Sequence, residues 1–176
     1  DKVKVIYVPI ADEFKRVTKQ FNSSNPRILQ IGAAPNKNLP RLIEAVKGLK
    51  CVLAIIGRIS EDNLKFLNEH SVTYENYVGL PFARIIEEYV KCDLLFFAST
   101  FEGFGMPILE AQATGRPVVT SNILSMPEVG GQAALYVYPH SVSEIRNGIN
   151  EIINNESYRE RLIKLGLDNV KRFDPD

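Results

Sequence analysis

Leu94-Leu95-Phe96-Phe97-Ala98-Ser99-Thr100-Phe101-Glu102-Gly103-Phe104-Gly105-Met106-Pro107-Ile108-Leu109-Glu110-Ala111-Gln112-Ala113-Thr114-Gly115 decides the fold, because it reads as strand, turn, helix and stop in one stretch. Leu94 to Ala98 is an unbroken apolar run of strand length, and Pro107 to Thr114 has helix-forming content closed by Gly115. Glu102 and Glu110 therefore bracket a strand-to-helix turn that holds Gly103 and Gly105. Such a turn suits an anion. Proline loses nothing in a first helical turn, N–H groups around Gly105 and Met106 point outward with the positive end of the helix dipole, and the two glycines let the backbone come close. Glu110 is expected near the first helical turn, where a carboxylate can accept both hydrogens of a vicinal diol; Glu102, before the turn, is placed to meet another hydroxyl-bearing part of the same ligand. These residues alone also admit a structural reading, in which the acidic side chain is capping electrostatics and Gly-Phe-Gly a tight connection.

Moving outward, the chain alternates short apolar runs with amphipathic ones. Strands are expected at Ile28 to Gly32, Cys51 to Ile56, Val72 to Val78, Leu94 to Ala98, Pro117 to Thr120 and Ala134 to Val137. Between them lie a helix capped by Asn38 and running to about Lys47, one opened by Ser60 and carrying Leu64 and Leu67, and one from Phe82 to Val90. Two helices, Val142 to Asn155 and Ser157 to Phe173, close the chain, and Lys2 to Pro9 reads as an edge strand before a polar connector. Runs this continuously apolar belong to strands buried on both faces. The predicted fold is α/β: a Rossmann-like three-layer domain with a parallel sheet of about six strands. Ligands of such sheets bind at the carboxyl ends of strands, here Gly32, Gly57, Val78-Gly79, Ser99-Thr100 and Thr120-Ser121. No Gly-x-Gly-x-x-Gly follows the first strands, which argues against a nicotinamide or flavin dehydrogenase.

Composition narrows the partners. The 176 residues are 45% hydrophobic, enough for one two-sided core, and 21 basic side chains balance 21 acidic ones. With no net charge, neither a nucleic-acid backbone nor an anionic membrane surface is the expected main partner, and any anion site must be local. No apolar run approaches the length of a membrane span, so no transmembrane segment is expected. Cys51 and Cys92 have no metal spacing and read as buried free thiols of an intracellular protein. His70 and His140 lack metal-spaced partners and read as surface residues; no metal site is expected. Tyr136 and Tyr138 read as sheet packing, and Lys171-Arg172 is too short for a nucleic-acid patch. A Gly-x-Ser-x-Gly elbow, a Walker loop and a His-Glu-x-x-His helix are all missing from the sequence.

Three stretches resemble the carboxy-terminal, donor-binding half of GT-B glycosyltransferases, in particular the retaining family 4 (glycosyl transferases group 1). Glu102 to Glu110 is similar to that family's E-x7-E motif and runs on through Ala111-Gln112-Ala113-Thr114-Gly115-Arg116-Pro117-Val118-Val119. Gly32 with Pro35-Asn36-Lys37-Asn38-Leu39 resembles its diphosphate loop, and Thr120 to Val129 its following segment. Val5 to Pro9 resembles the stretch that leads into the second domain, and Arg172-Phe173-Asp174-Pro175 the point before a final helix that crosses back. The resemblance implies a donor-binding domain at 26–176, with 1–25 as edge strand and interdomain connector and the amino-terminal acceptor domain outside this chain.

Carried over by position, the resemblance assigns Glu110 to the ribose diol, Glu102 to the transferred sugar, and the backbone of Gly103, Phe104, Gly105 and Met106, ahead of Pro107, to sugar or phosphate oxygens. Lys37, in the loop that follows Gly32, would neutralise the diphosphate, and Val78, Gly79 and Leu80 would cradle the base by backbone contacts. An arginine follows the loop glycine in many relatives; here Ala33 stands there in a shorter loop, and Arg58 is the expected replacement. The implied reaction moves a sugar from a nucleoside-diphosphate donor, a UDP- or GDP-sugar, to an acceptor hydroxyl with retention by same-face attack. Lys37 and Glu102 are the residues nearest that chemistry, no cofactor is expected and a metal is not required. The implied setting is polysaccharide or glycoconjugate biosynthesis in the cytoplasm, including peripheral attachment of the longer protein to the inner face of the membrane. This chain alone is expected to bind donor weakly and transfer nothing. A GT-B nucleotide-sugar epimerase and a non-catalytic nucleotide-sugar module remain as alternatives.

Overall fold

In the computed structural model, which describes residues 7–174, strand and helix alternate along the chain. The elements are β1 (Arg27–Ile31), α1 (Leu39–Val46), β2 (Val52–Ile56), α2 (Glu61–Glu69), β3 (Tyr74–Tyr77), α3 (Phe82–Lys91), β4 (Leu94–Phe97), α4 (Met106–Ala113), β5 (Val118–Ser121), α5 (Met126–Gly130), β6 (Leu135–Val137), α6 (Val142–Asn154) and α7 (Glu156–Asn169). Single 3-10 turns cover Pro35–Lys37 and Val170–Phe173. The strands form one six-stranded sheet in the order β3-β2-β1-β4-β5-β6, every pair parallel. The parallel α/β sheet of about six strands is as predicted from the alternation of elements; the strand order, that of a doubly wound Rossmann fold, is what the structure adds.

The strand sequences explain why both faces must be covered. Successive side chains point to opposite faces, so Ile28, Leu53, Phe96 and Val119 join one core cluster while their neighbours Leu29, Ala54, Phe97 and Val118 join the other. The first cluster is closed by α1, α2 and α6 through residues such as Leu42, Leu67 and Ile149, the second by α3, α4 and α5 through Tyr89, Ile108 and Val129. Phe96 is fully buried and Phe97 nearly so, each worth roughly 2–3 kcal/mol of removed apolar surface. Truncating Phe96 to alanine would cost about 3–5 kcal/mol, because the covering layers cannot collapse into the void.

Strand order sets the position of the site. From β1 the chain winds outward one way through β2 and β3, then returns to lay β4 on the other side of β1 and continues through β5 and β6. The loops leaving β1 and β4 therefore diverge to opposite faces, and a crevice opens between them at their carboxyl ends.

Three local expectations are corrected. Of the expected edge strand at Lys2 to Pro9, residues 2–6 lie outside the described residues, and Tyr7 to Pro9 are in no strand. The segment up to β1 is nevertheless pinned: Phe14 is buried edge-on to Tyr89, and Asp93 accepts from Lys19, from the Asn22 N–H at 3.0 Å and from the Arg27 N–H at 2.8 Å. Asn38 stands at the start of α1 but does not cap it with its side chain; its φ is +62°, and its amide instead donates to Ala98 O (2.9 Å) and Pro139 O (2.6 Å). A buried amide bonded to two carbonyls loses more by turning to the helix than it gains. The closing helix stops at Asn169, followed by the 3-10 turn, and α5, which the sequence pattern did not show, occupies Met126–Gly130.

Candidate functional site

Gly32 leaves β1 with φ +85°, a conformation that glycine adopts without strain, and its N–H donates to Ile56 O at 2.7 Å. The aliphatic stem of Lys37 lies across it, so that a Cβ added at Gly32 would stand 2.9 Å from Lys37 Cγ. This contact aims Lys37 over the Phe97 ring, 4.8 Å from its centroid, and brings Nζ to 2.6 Å from Glu102 Oε1. Lys37 and Glu102, 65 positions apart, thus meet across the crevice between β1 and β4.

Asn36 staples the same two loops. Its carbonyl accepts the Thr100 N–H (2.8 Å), and its side-chain amide donates to Phe101 O (2.9 Å) and more weakly to Glu102 Oε1 (3.5 Å). Both protein contacts therefore fall on one oxygen of Glu102, and Oε2 is left facing no protein donor among the described residues. Sequence reasoning quoted Asn36 in the loop without giving it this role; the signal available was its place next to Lys37.

The turn from Phe101 to Gly105 delivers the chain to α4. Gly105 carries φ +118° at the helix N-cap, Met106 opens the helix and Pro107 follows in its first turn. Among the described residues no protein hydrogen bond takes up the N–H of Glu102, Gly103, Phe104, Gly105 or Met106. A turn with this many free donors at a helix amino terminus is an anion cradle. Gly103 sharpens the point: its φ is not in the left-handed region, and an added Cβ would meet nothing within 4 Å. Neither backbone strain nor packing asks for glycine there. Phe104, between the glycines, packs inward against Tyr7 and Phe173 at 6.1 and 6.0 Å between ring centroids.

Glu110 is the fifth residue of α4, just past the first turn near which it was expected. There it is half-buried, and its Oε2 accepts from the Tyr89 hydroxyl of α3 at 2.5 Å. Burial raises the Glu110 carboxyl above its ordinary value, and the Tyr89 hydrogen bond partly offsets this. The Tyr89 phenol is pushed well above 10 by burial and by the neighbouring Glu110 charge. Tyr89 had no signal in the sequence, since its partner is 21 positions away on another helix.

The remaining predicted residues lie along the same sheet edge. The backbone of Gly57, after β2, packs against Gly32 and Ala33, with the Ala33 N 3.1 Å from its Cβ position. Arg58 follows directly; it is exposed and makes no side-chain hydrogen bond or ion pair among the described residues. Asn76 on β3 fixes this corner by donating to Ile55 O and Gly57 O at 3.0 and 2.7 Å. Val78 is exposed and Leu80 half-buried beyond β3, which is separated from β1 by β2.

Other groups have structural roles. Cys51 and Cys92 are buried and free, with burial pushing their thiols up to about 11 and about 12. His70 is half-buried rather than at the surface, its ring against Phe66 and Nδ1 3.1 Å from Phe66 O; His140 is exposed beside Tyr138. Among the described residues, no cluster of three His, Cys, Asp or Glu side chains is placed to hold a metal, and no helix is long and apolar enough to cross a membrane.

Comparison with known proteins agrees with this fold. Residues 11–167 match the family described as Glycosyl transferases group 1. An O-antigen chain mannosyltransferase B of Escherichia coli is 41% identical over 85 residues, which cover 48% of this chain and 22% of that protein. WaaG, a glycosyltransferase involved in lipopolysaccharide biosynthesis, superposes with a TM-score of 0.81 at 18% identity over 96% of this chain and 52% of its own. Anabaena HepE, solved in complex with UDP and glucose, superposes with a TM-score of 0.76 at 21% identity, covering 86% of this chain and 45% of its own. At these identities the two structures attest the fold. The chain spans about half or less of the length of each of these relatives.

Proposed function

The chain belongs to the glycosyl transferases group 1, and on that premise we propose that it is the donor-binding domain of an enzyme that moves a sugar from a nucleoside-diphosphate sugar to an acceptor hydroxyl, with retention of configuration. The observation that carries this reading is the pairing of Lys37 with Glu102 beside a turn whose N–H groups, Glu102 through Met106, meet no protein acceptor among the described residues. A diphosphate needs positive charge in a fixed place, and here it has an ammonium with two further hydrogens and a helix amino terminus. Because these groups can neutralise the departing diphosphate, a metal is not needed.

Glu102 Oε2 then accepts from a hydroxyl of the transferred sugar, and Glu110 from the ribose diol. Gly103 leaves room for the ligand to lie against the backbone. Arg58, free beside the Gly32–Ala33 backbone, supplies the second positive charge that Ala33 cannot, and the backbone at Val78, Gly79 and Leu80 receives the base. Neither glutamate is assigned as a general base: one holds the sugar and the other the nucleotide. A separate acceptor-binding domain completes the site in the whole protein, consistent with the share of its relatives that this chain covers.

Calorimetric titration of UDP-, GDP- and ADP-sugars into the 176-residue chain, with magnesium and with EDTA, tests the reading. One nucleotide series should bind, the intact sugar should add affinity over the bare diphosphate, and EDTA should leave both unchanged. No binding by any of the three would overturn it.

A further inference from the structure

We propose that Tyr89 is a positioning residue for Glu110: its buried phenol fixes one carboxylate oxygen so that the other, with the remaining lone pair of the first, meets the vicinal diol of a ribose. The inference rests on the assignment of Glu110 to the nucleotide made above, and deepens it.

The geometry is built for one job. Tyr89 is fully buried, its ring edge-on to Phe14 with 5.4 Å between centroids. Its backbone carbonyl accepts from Arg116 Nε at 3.1 Å and from Cys92 Sγ at 3.2 Å, so the end of α3 is held and the hydroxyl cannot drift. That hydroxyl donates to Glu110 Oε2, and no other protein donor reaches either Glu110 oxygen among the described residues. Among the described residues no lysine, arginine or histidine forms an ion pair with Glu110 either. Burial raises the Glu110 carboxyl and so favours its protonated form, which accepts one diol hydrogen less.

A phenol that stays protonated far above neutral pH can only donate here, which favours the ionised carboxylate. Tyr89 therefore fixes the direction of Glu110 and favours its charged form. A carboxylate held in this way distinguishes a ribose from a 2′-deoxyribose, because only the former presents two adjacent hydroxyls.

The test uses the 176-residue chain and whichever of UDP, GDP or ADP it binds most tightly, together with the 2′-deoxy form of that nucleotide. Tyr89→Phe keeps the ring and removes the hydroxyl; Phe14→Leu disturbs the same packing and leaves the hydroxyl in place. Tyr89→Phe should weaken the ribonucleotide roughly tenfold at neutral pH, as expected for losing a hydrogen bond to a charged group. It should also move the acid limb of the binding profile to higher pH and shrink the preference over the 2′-deoxy nucleotide. Phe14→Leu should lower the melting temperature and leave the acid limb where it is. The proposal is overturned by a Tyr89→Phe profile that matches wild type, or by the two variants shifting the acid limb alike. Equal wild-type affinity for ribo- and 2′-deoxyribonucleotide would overturn the Glu110 assignment and this inference with it, while leaving the diphosphate reading of Lys37 standing.

Discussion

Lys37 Nζ stands 2.6 Å from Glu102 Oε1, and this ion pair bridges the β1 and β4 loops at the point where the winding of the sheet reverses. The two side chains are 20% and 14% exposed, so the pair is screened only in part, and its contribution to folding is small beside that of the core on which it rests. Its consequence is geometric. The ammonium is held over the crevice with two hydrogens to spare, and Glu102 is turned so that one oxygen is anchored and the other open.

Replacing each partner should separate their roles. Lys37→Ala should weaken bare nucleoside diphosphate by roughly tenfold to a hundredfold, the range for a charge-assisted hydrogen bond to phosphate. Glu102→Gln keeps a hydrogen-bonding side chain of the same size; it should leave the diphosphate affinity near wild type and remove the increment contributed by the sugar. Calorimetry with the diphosphate and its sugar conjugate, on both variants, reads the two effects apart. Equal losses for both ligands in Glu102→Gln would place that carboxylate on the phosphates instead.

Gly103→Ala should behave unlike a fold mutation. Its φ is accessible to alanine, and its Cβ would enter open space, so the melting temperature should stay the same or rise slightly as the unfolded chain loses freedom. Nucleotide-sugar affinity should fall, because the methyl occupies the approach to the turn's free N–H groups. A destabilised variant with normal binding would contradict the ligand cradle.

Arg58→Ala tests whether the free guanidinium replaces the one missing at Ala33. It should weaken nucleoside diphosphate markedly, with the urea midpoint unchanged, since the side chain is exposed and makes no hydrogen bond or ion pair among the described residues. Unchanged affinity would leave Lys37 and the helix terminus as the sole diphosphate contacts.

Much of the fold was legible because its signals are local. Leu94 to Ala98 is too continuously apolar for a one-sided sheet, and Pro107 with Gly115 brackets a helix wherever it folds. Lys37, Glu102 and Glu110 could be named from their motifs, but the meeting of Lys37 with Glu102 could not, since it depends on β4 lying beside β1 rather than beside β3. Asn38 misled for the opposite reason. Its local signal was a helix cap, and tertiary contacts with Ala98 and Pro139 took its amide. Tyr89 was silent, as an aromatic on an amphipathic helix whose partner Glu110 lies on another helix.

Arg116 lies within the continuation of the E-x7-E motif and yet serves the fold. It is buried, and its guanidinium donates to Tyr89 O, Val90 O, Val17 O and Gly115 O, closing the carbonyl end of α3 and tying the segment before β1 to it. Arg116→Met fills similar space and leaves these carbonyls without a donor, so urea unfolding should show a loss of about 3 kcal/mol. The same variant should carry the Tyr89 hydroxyl out of register, and nucleotide binding should fall with stability.

Glu110→Gln should reverse the usual relation between a conserved volume and stability. Burial raises the Glu110 carboxyl in the folded chain, so between its ordinary value and that raised value the folded state binds more protons than the unfolded state. Stability from this group therefore falls as pH rises through that window, and at neutral pH the ionised carboxylate is a net cost that the Tyr89 hydrogen bond only partly offsets. Glutamine carries no charge and still offers Tyr89 an acceptor. At neutral pH the variant should melt higher than wild type, and the difference should shrink as the pH is lowered into the ordinary carboxylate range. Nucleotide binding should fall at the same time, because the amide presents one acceptor oxygen where the diol needs two. Melting curves across pH alongside calorimetry check both halves: a variant that melts lower at neutral pH would mean that the carboxylate is compensated by contacts other than Tyr89, and one that keeps full ribonucleotide affinity would remove Glu110 from the site.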